Sequence, residues 1–451
     1  MIERNLLATL NKWAAKERRK PLVIRGARQV GKTTLVKEFS KQFIHFVDLN
    51  LERREDRQLF DDADTPRQLL EILRLTRTPL PSDFSKEKTL IFIDEIQSEP
   101  KAVGMLRYFY EDYPELYVIA AGSRLQELFR TGVSFPVGRV EYQTLRPCFF
   151  DEFLSGLGKD ELREIVIAGE YDSALDSSLS QLFRQFALIG GMPEIITEYS
   201  DHGSVSELSS LYRSLLQSYD EDVEKYAVSK HQVDVLRHIL RNGWEHAGQT
   251  ITYNRFAGSG YASTPVHEAF ELLERAFLLN LAYPATSVRM PPTPAYLRSP
   301  KLIWLDSGLV NFSAQIQVEY MGNKSLIDVW RGHAVEQVVG QALWEVLDRQ
   351  YALNENYWIR DKRGSNAEVD FVLPFEGRLL PIEVKSGTNA HLRSMQSYMA
   401  QEGSPGIGIR IWSGKFSVDE VANPLSGKPY RLVNLPFYMV GAIDKVVRAY
   451  I

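Results

Sequence analysis

Hydrophobic positions in the first third of the chain come in short blocks. PLVIRG, FIHFVDL, TLIFIDE and YVIAAGS are nearly continuous apolar runs, and the segments between them carry helical spacing. Continuous runs of this length, bounded by helical patterns, predict strands buried on both faces. Residues 22–160 are therefore expected to form a parallel sheet covered by helices. From 160 to 230 that rhythm gives way to helices such as SSLSQLFRQFALIG and SELSSLYRSLLQSYDEDVEKYA, with GGMPE (190–194) as a breaker. Residues 231–320 run helix, short helix, helix and then strands, the order of a winged helix, with MPPTP (290–294) at the hairpin. A last region opens with the helix VWRGHAVEQVVGQALWEVLDRQ and continues as strands around YWIRD, EVDFVL and LLPIEVK. The pattern predicts an α/β protein in four parts: 1–160, 161–230, 231–320 and 321–451.

The first turn after a strand carries chemistry. In IRGARQVGKTTLV the loop runs from Gly26 through Ala27, Arg28, Gln29, Val30 and Gly31 to Lys32, Thr33 and Thr34. Two glycines at this spacing, with a strand before and a helix after, let backbone N–H groups wrap a phosphate at a helix N-terminus. Lys32 is expected to reach the β- and γ-phosphates of ATP, and the Thr33 hydroxyl to ligate Mg²⁺. TLIFIDEIQ supplies the partner carboxylates at a strand end. Asp94 would hold Mg²⁺, and Glu95 would polarise the attacking water, which points to hydrolysis. YVIAAGSRL ends in Ser123, placed either to sense the γ-phosphate or to cap the next helix.

Together with the preceding helix, the stretches GARQVGKTT, FIDEIQ, AAGSRL and VGRVEYQTLRPCFFDEFL resemble bacterial and archaeal AAA-type ATPases with a C-terminal domain of unassigned function. GGMPE and LDSGL (305–309) resemble the same family. The resemblance implies an ATPase core over 1–160 and a helical connector over 161–230. It makes Arg139 either a finger reaching a neighbour's γ-phosphate, in a nucleotide-dependent homo-oligomer, or a structural ion pair.

The last region raises a different question. In EVDFV and PIEVK, strand alternation puts Asp370, Glu383 and Lys385 on the polar face. Glu336 lies inward on the helix upstream. Hard cations such as Mg²⁺ or Mn²⁺ prefer oxygen ligands of this kind, with the Val384 carbonyl as a further one. This set resembles the restriction-endonuclease-like fold over about residues 325–415. The resemblance implies metal-assisted cleavage of DNA, with Asp370, Glu383 and Glu336 as ligands and Lys385 activating water. The alternatives are an ordinary half-solvated strand pair or a decayed nuclease kept as a binding surface.

Charge narrows the picture. The 451 residues carry a net charge of -5 with a pI near 6.0, so any contact with DNA must use a local patch. Residues 231–320 hold seven Lys/Arg and seven Asp/Glu, and the helix TPVHEAFELLERAF is acidic, which favours docking over groove reading. The single cysteine, Cys148, fits a reducing cytoplasm. The start is amphipathic and charged, and no apolar run is long enough for a membrane. The expected protein is an ATPase governing DNA processing or cleavage; the alternative is a signalling or scaffolding ATPase with a catalytically inactive C-terminal module.

Overall fold

The computed structural model describes residues 2–77, 80, 81, 83, 84, 87–123, 138–317, 333–350, 355–362, 366–387 and 392–451. It divides into two compact units: Glu3–Pro147 with Arg275–Phe277, and Met1–Ile2 with Cys148–Glu274 and Leu278–Ile451.

The N-terminal unit is built on β1 (Leu22–Arg25), β2 (His45–Asn50), β3 (Thr89–Asp94), β4 (Tyr117–Gly122) and β5 (Glu141–Thr144). All neighbouring pairs are parallel, in the order β2-β3-β4-β1-β5. Every residue of β3 and β4 is buried, which is why those strands read as unbroken apolar runs. Helices Pro66–Thr76 and Pro100–Asp112 each start on a proline, behind Thr65 and Glu99 side chains that accept from the first turn. Their apolar stripes, including Leu69, Leu73, Leu106 and Phe109, close one face of the sheet in a single core with Val47, Ile91, Ile93 and Val118.

The C-terminal unit begins with helices over Phe150–Gly156, Asp160–Ala168, Asp176–Ile189, Pro193–His202 and Ser209–Tyr226. Helices Lys230–Asn242 and Ser263–Arg275 follow, then β6 (Leu279–Ala285) and β7 (Lys301–Trp304). Val266, Ala269, Phe270 and Leu273 of the second helix are buried, so its stripe faces core. After helix His333–Arg349 come β8 (Asn356–Ile359), β9 (Glu368–Phe375), β10 (Arg378–Lys385), β11 (Ile407–Trp412), β12 (Ser417–Ala422) and β13 (Pro429–Pro436).

These eight strands form one sheet, ordered β12-β13-β11-β10-β9-β8-β6-β7. The helix–helix–hairpin order read from 231–320 is present, but β6 and β7 do not make a free wing. β6 pairs with β7 on one edge and runs parallel to β8 on the other. The reason lies in its composition: Leu279, Leu281, Ala282 and Ala285 are all buried, and a strand with so little polar surface is covered on both sides. The sheet is therefore continuous across the boundary expected near 320, although residues 318–332, including the first residues of VWRGHAV, lie outside those described. A two-residue turn, Glu376-Gly377, joins β9 to β10 with both residues at positive φ (45° and 75°), the geometry of a tight hairpin. That turn sets the register. A slip of one residue would send Asp370 and Glu383 to the wrong face.

Among the described residues, no helix is long and apolar enough to cross a membrane.

Candidate functional site

In the N-terminal unit β4 lies between β1 and β3, so its C-terminal end sits between the glycine loop and the carboxylate strand. The loop's shape depends on backbone few residues adopt: Gly26 has φ 146°, Gln29 63° and Gly31 95°. A Cβ on Gly26 would come within 2.1 Å of the Leu145 carbonyl oxygen, so only glycine lets the loop leave the sheet there. Gly31 then precedes the helix Lys32–Ser40, whose N-terminal N–H groups face the loop.

Lys32 is buried, and its Nζ donates to the Gly26 and Ala27 carbonyls at 3.0 and 2.7 Å. Burial lowers the Lys32 pKa to about 8, against the opposing pull of Glu95 and Asp94. Thr33 Oγ1 donates to Asp94 Oδ2 at 2.7 Å, which brings the two expected Mg²⁺ ligands together. Asp94 is buried, its carboxyl pushed upward by desolvation, and its Oδ1 accepts from the Glu95 N–H at 3.0 Å. Glu95 itself sits at φ 52°, a left-handed conformation costing about 1–3 kcal/mol in a non-glycine residue. Its Oε2 accepts from Gln97 Nε2. Ser123 follows β4 directly and is 2% exposed; its Oγ has no partner among the described residues. These features fit a Mg²⁺-nucleotide: a buried lysine and a hydroxyl–carboxylate pair stand at one glycine loop.

Four other loop residues have different surroundings. Arg28 pairs with Glu52 at 3.2 Å and is partly exposed, while Ala27 and Val30 are buried. Thr34 stands in the first turn of the helix. Arg139 pairs with Glu111 of its own chain at 3.0 Å, the geometry of the ion-pair alternative. One residue was missed by reading the sequence. Arg4 is buried and donates to the Val30 carbonyl at 2.7 Å and to the Arg146 carbonyl at 2.6 Å, bracing the loop from behind.

The Lys32 shift has a measurable consequence. A charged Lys32 favours phosphate, so free protein loses affinity as that charge is lost. ATP affinity should be flat below pH 8 and about tenfold weaker at pH 9, one pH unit being one decade for one proton. Calorimetric titration at constant free Mg²⁺ checks it; equal affinity at pH 7 and pH 9 would remove Lys32 from the binding step.

In the C-terminal unit the second cluster assembles on the β9–β10 face. Asp370 Oδ2 accepts from the Val384 N–H at 2.7 Å, so it is the amide of Val384 that meets the carboxylate. Glu383 is 3% exposed and pairs with Lys385 at 2.8 Å. Glu336 projects from helix His333–Arg349. Burial drives the Glu383 and Glu336 pKa values up to about 7, reinforced by the charge of Asp370. The residue not foreseen is Lys301, at the start of β7 and 1% exposed. Its Nζ lies 2.6 Å from Glu336, 3.5 Å from Glu368 and 3.9 Å from Asp370. Lysine is almost never fully buried unless paired, and these carboxylates are the partners that permit it.

Among the described residues, the trio whose ligand atoms all lie within 4.8 Å of one another is Glu198, His202 and Glu207, at the end of helix Pro193–His202 and in the turn after it, and not Glu336, Asp370 and Glu383. Oxygens around one Mg²⁺ at ~2.1 Å are at most ~4.2 Å apart. As arranged, Asp370, Glu383 and Glu336 do not fit a shared metal.

GGMPE and LDSGL meet in the same unit. Asp306 is fully buried and accepts from Gly191 N–H at 2.5 Å and from Leu309 N–H at 3.0 Å, capping helix Ser307–Ser313. A Cβ on Gly190 would collide with its Oδ1 at 2.2 Å, and one on Gly308 with the Ile189 carbonyl at 2.0 Å. These two motifs make a structural joint.

Comparison with known proteins adds three family matches. Residues 18–154 match a family described as an AAA domain, 180–319 a domain of unknown function (DUF8612), and 331–426 a domain of unknown function (DUF4143). No curated protein matches. Among solved structures, the ORC1 protein of Aeropyrum pernix in complex with DNA is 13% identical, with a TM-score of 0.29 over 70% of this chain and 93% of that one. A signal transduction ATPase with numerous domains from Pyrococcus horikoshii, bearing a tetratricopeptide repeat sensor, is 12% identical, with a TM-score of 0.29 over 78% of this chain and 49% of that one. The glycine loop and the all-parallel five-stranded sheet both lie within residues 18–154, the segment that matches the AAA domain family.

Proposed function

We propose that this chain binds Mg²⁺-ATP at Gly26–Thr34, hydrolyses it slowly, and uses its nucleotide state to govern DNA processing through the C-terminal unit. The observation that carries the ATPase part is the 2.7 Å bond between Thr33 and Asp94 at the edge of the glycine loop that holds Lys32. Loop N–H groups and Lys32 hold the phosphates, Thr33 and Asp94 hold the metal, and Ser123 meets the γ-phosphate. Bound Mg²⁺ supplies neutralisation of phosphate charge. Glu95, its Oε2 fixed by Gln97, takes the proton of the attacking water. Within the chain Arg139 pairs with Glu111, a structural role in this reading; a finger role toward a second subunit is the alternative.

For the C-terminal unit, the shared face of Asp370, Glu383 and Lys385 supports an action on DNA phosphodiesters. A second reading, a binding module without cleavage, is favoured by Lys301, which satisfies the carboxylates a metal would need.

The deciding assay measures Mg²⁺-dependent phosphate release from ATP with no DNA and with single-stranded, duplex and branched DNA. The DNA-processing reading expects a several-fold stimulation by at least one form. A rate indifferent to all of them leaves the binding-module reading. The absence of Mg²⁺-dependent release under any condition overturns the whole proposal. Light scattering with a non-hydrolysable analogue in the same series reports nucleotide-dependent self-association, the outcome expected if Arg139 acts as a finger toward a neighbour.

A further inference from the structure

The carboxylates that strand alternation directs to one face of the C-terminal sheet are already served by a cation of the chain. Lys301 Nζ has four oxygens around it: Glu336 Oε2 at 2.6 Å, the Asp370 carbonyl at 3.2 Å, Glu368 Oε1 at 3.5 Å and Asp370 Oδ1 at 3.9 Å. The Tyr357 and Phe371 rings lie 5.4 and 5.1 Å away, faces that also favour an ammonium. At 1% exposure Lys301 has no water to turn to, so it is committed to these partners. Lys385 serves Glu383 in the same way at 2.8 Å.

Two observations argue that Lys301 excludes a metal. The first is charge: an ammonium among the same oxygens repels a divalent cation across a short distance in a dry site, where screening is weak. The second is spacing. Glu336 is drawn to Lys301, and the set Glu336, Asp370 and Glu383 fails to bring one oxygen each within 4.8 Å, wider than one Mg²⁺ shell permits.

We infer that the Lys301 ammonium is the resident cation of this acidic cluster, and that a divalent metal binds Asp370, Glu383 and Glu336 only when Lys301 is displaced. The inference rests on reading the cluster as a nuclease-like acidic site. It makes β7, a strand from the segment before the nuclease-like part, the element that closes that site. Lys301 is a positioning residue and touches no reacting atom.

The test is Mn²⁺ binding to the full chain without nucleotide, followed by the electron paramagnetic resonance signal of free Mn²⁺. The proteins are wild type, Lys301→Met, Lys301→Gln and the double variant Lys301→Met with Asp370→Asn. Near-ultraviolet circular dichroism monitors folding. The expected result is one site at least tenfold tighter in Lys301→Met than in wild type, and lost again in the double variant. Lys301→Gln, which keeps a neutral donor toward Glu336, should fall on the same side and decides if the Met variant does not fold. Equal affinity in wild type and Lys301→Met, lost in the double variant, overturns the inference while leaving the acidic site as a metal site. Folded variants with no Asp370-dependent site remove the metal reading itself. If neither variant folds, Lys301 is a fixed structural ion and displacement is overturned.

Discussion

Glu95→Gln should bind Mg²⁺-ATP as wild type does and hydrolyse it about 10²–10⁴-fold more slowly, the usual contribution of a positioned general base. The amide has the size and shape of the carboxylate but cannot accept a proton from water. The left-handed backbone at residue 95 follows from where β3 ends and from the turn Ile96–Ser98, so the substitution leaves the loop where it is. Gln97 donates to Oε2, and an amide oxygen can accept the same bond after a flip of the side chain. Single-turnover hydrolysis, set beside equilibrium binding of a fluorescent nucleotide, separates the two effects. A wild-type rate with unchanged binding would show that Glu95 is not the base.

Lys32→Ala should weaken ATP binding by about 10²-fold, since hydrogen bonds to a charged group contribute roughly 1.5–3 kcal/mol each and Lys32 supplies more than one toward phosphate. The side chain is buried against the loop, so its removal also frees the Gly26 and Ala27 carbonyls. Lys32→Arg is the informative companion. A planar guanidinium does not fit a slot shaped for a point charge, so Arg should fail to restore affinity although it keeps the charge. Chemical unfolding of each variant without nucleotide shows whether the loop survives. An affinity within threefold of wild type for folded Lys32→Ala would move the phosphate site elsewhere.

The two clusters differ in how far a reader of the sequence could go. The nucleotide loop is contiguous. Gly26, Gly31, Lys32 and Thr33 lie within eight residues, and the backbone that presents them is dictated by local glycine placement and a helix start. Asp94 is distant, but a run of buried residues ending in two carboxylates marks a strand end, and parallel sheets hold ligands at such ends. Arg4 was invisible because a basic residue in an exposed-looking helical start carries no signal of its destination. The joint between GGMPE and LDSGL was visible as two motifs and not as one object, because the Asp306–Gly191 bond spans 115 positions.

By itself, the sequence determined which residues are loop, strand and helix around the phosphate site, and that Asp370, Glu383 and Lys385 share a strand face. Periodicity and glycine placement act over a few residues, and these features are of that range. Only the tertiary structure decided that β6 and β7 extend the C-terminal sheet, and that Arg139 meets Glu111. Only it placed the Lys301 ammonium among Glu336, Glu368 and Asp370. The reason is physical. A buried charge finds whichever opposite charges the fold brings within a few ångströms, and no local pattern records a partner 35 or 69 positions away.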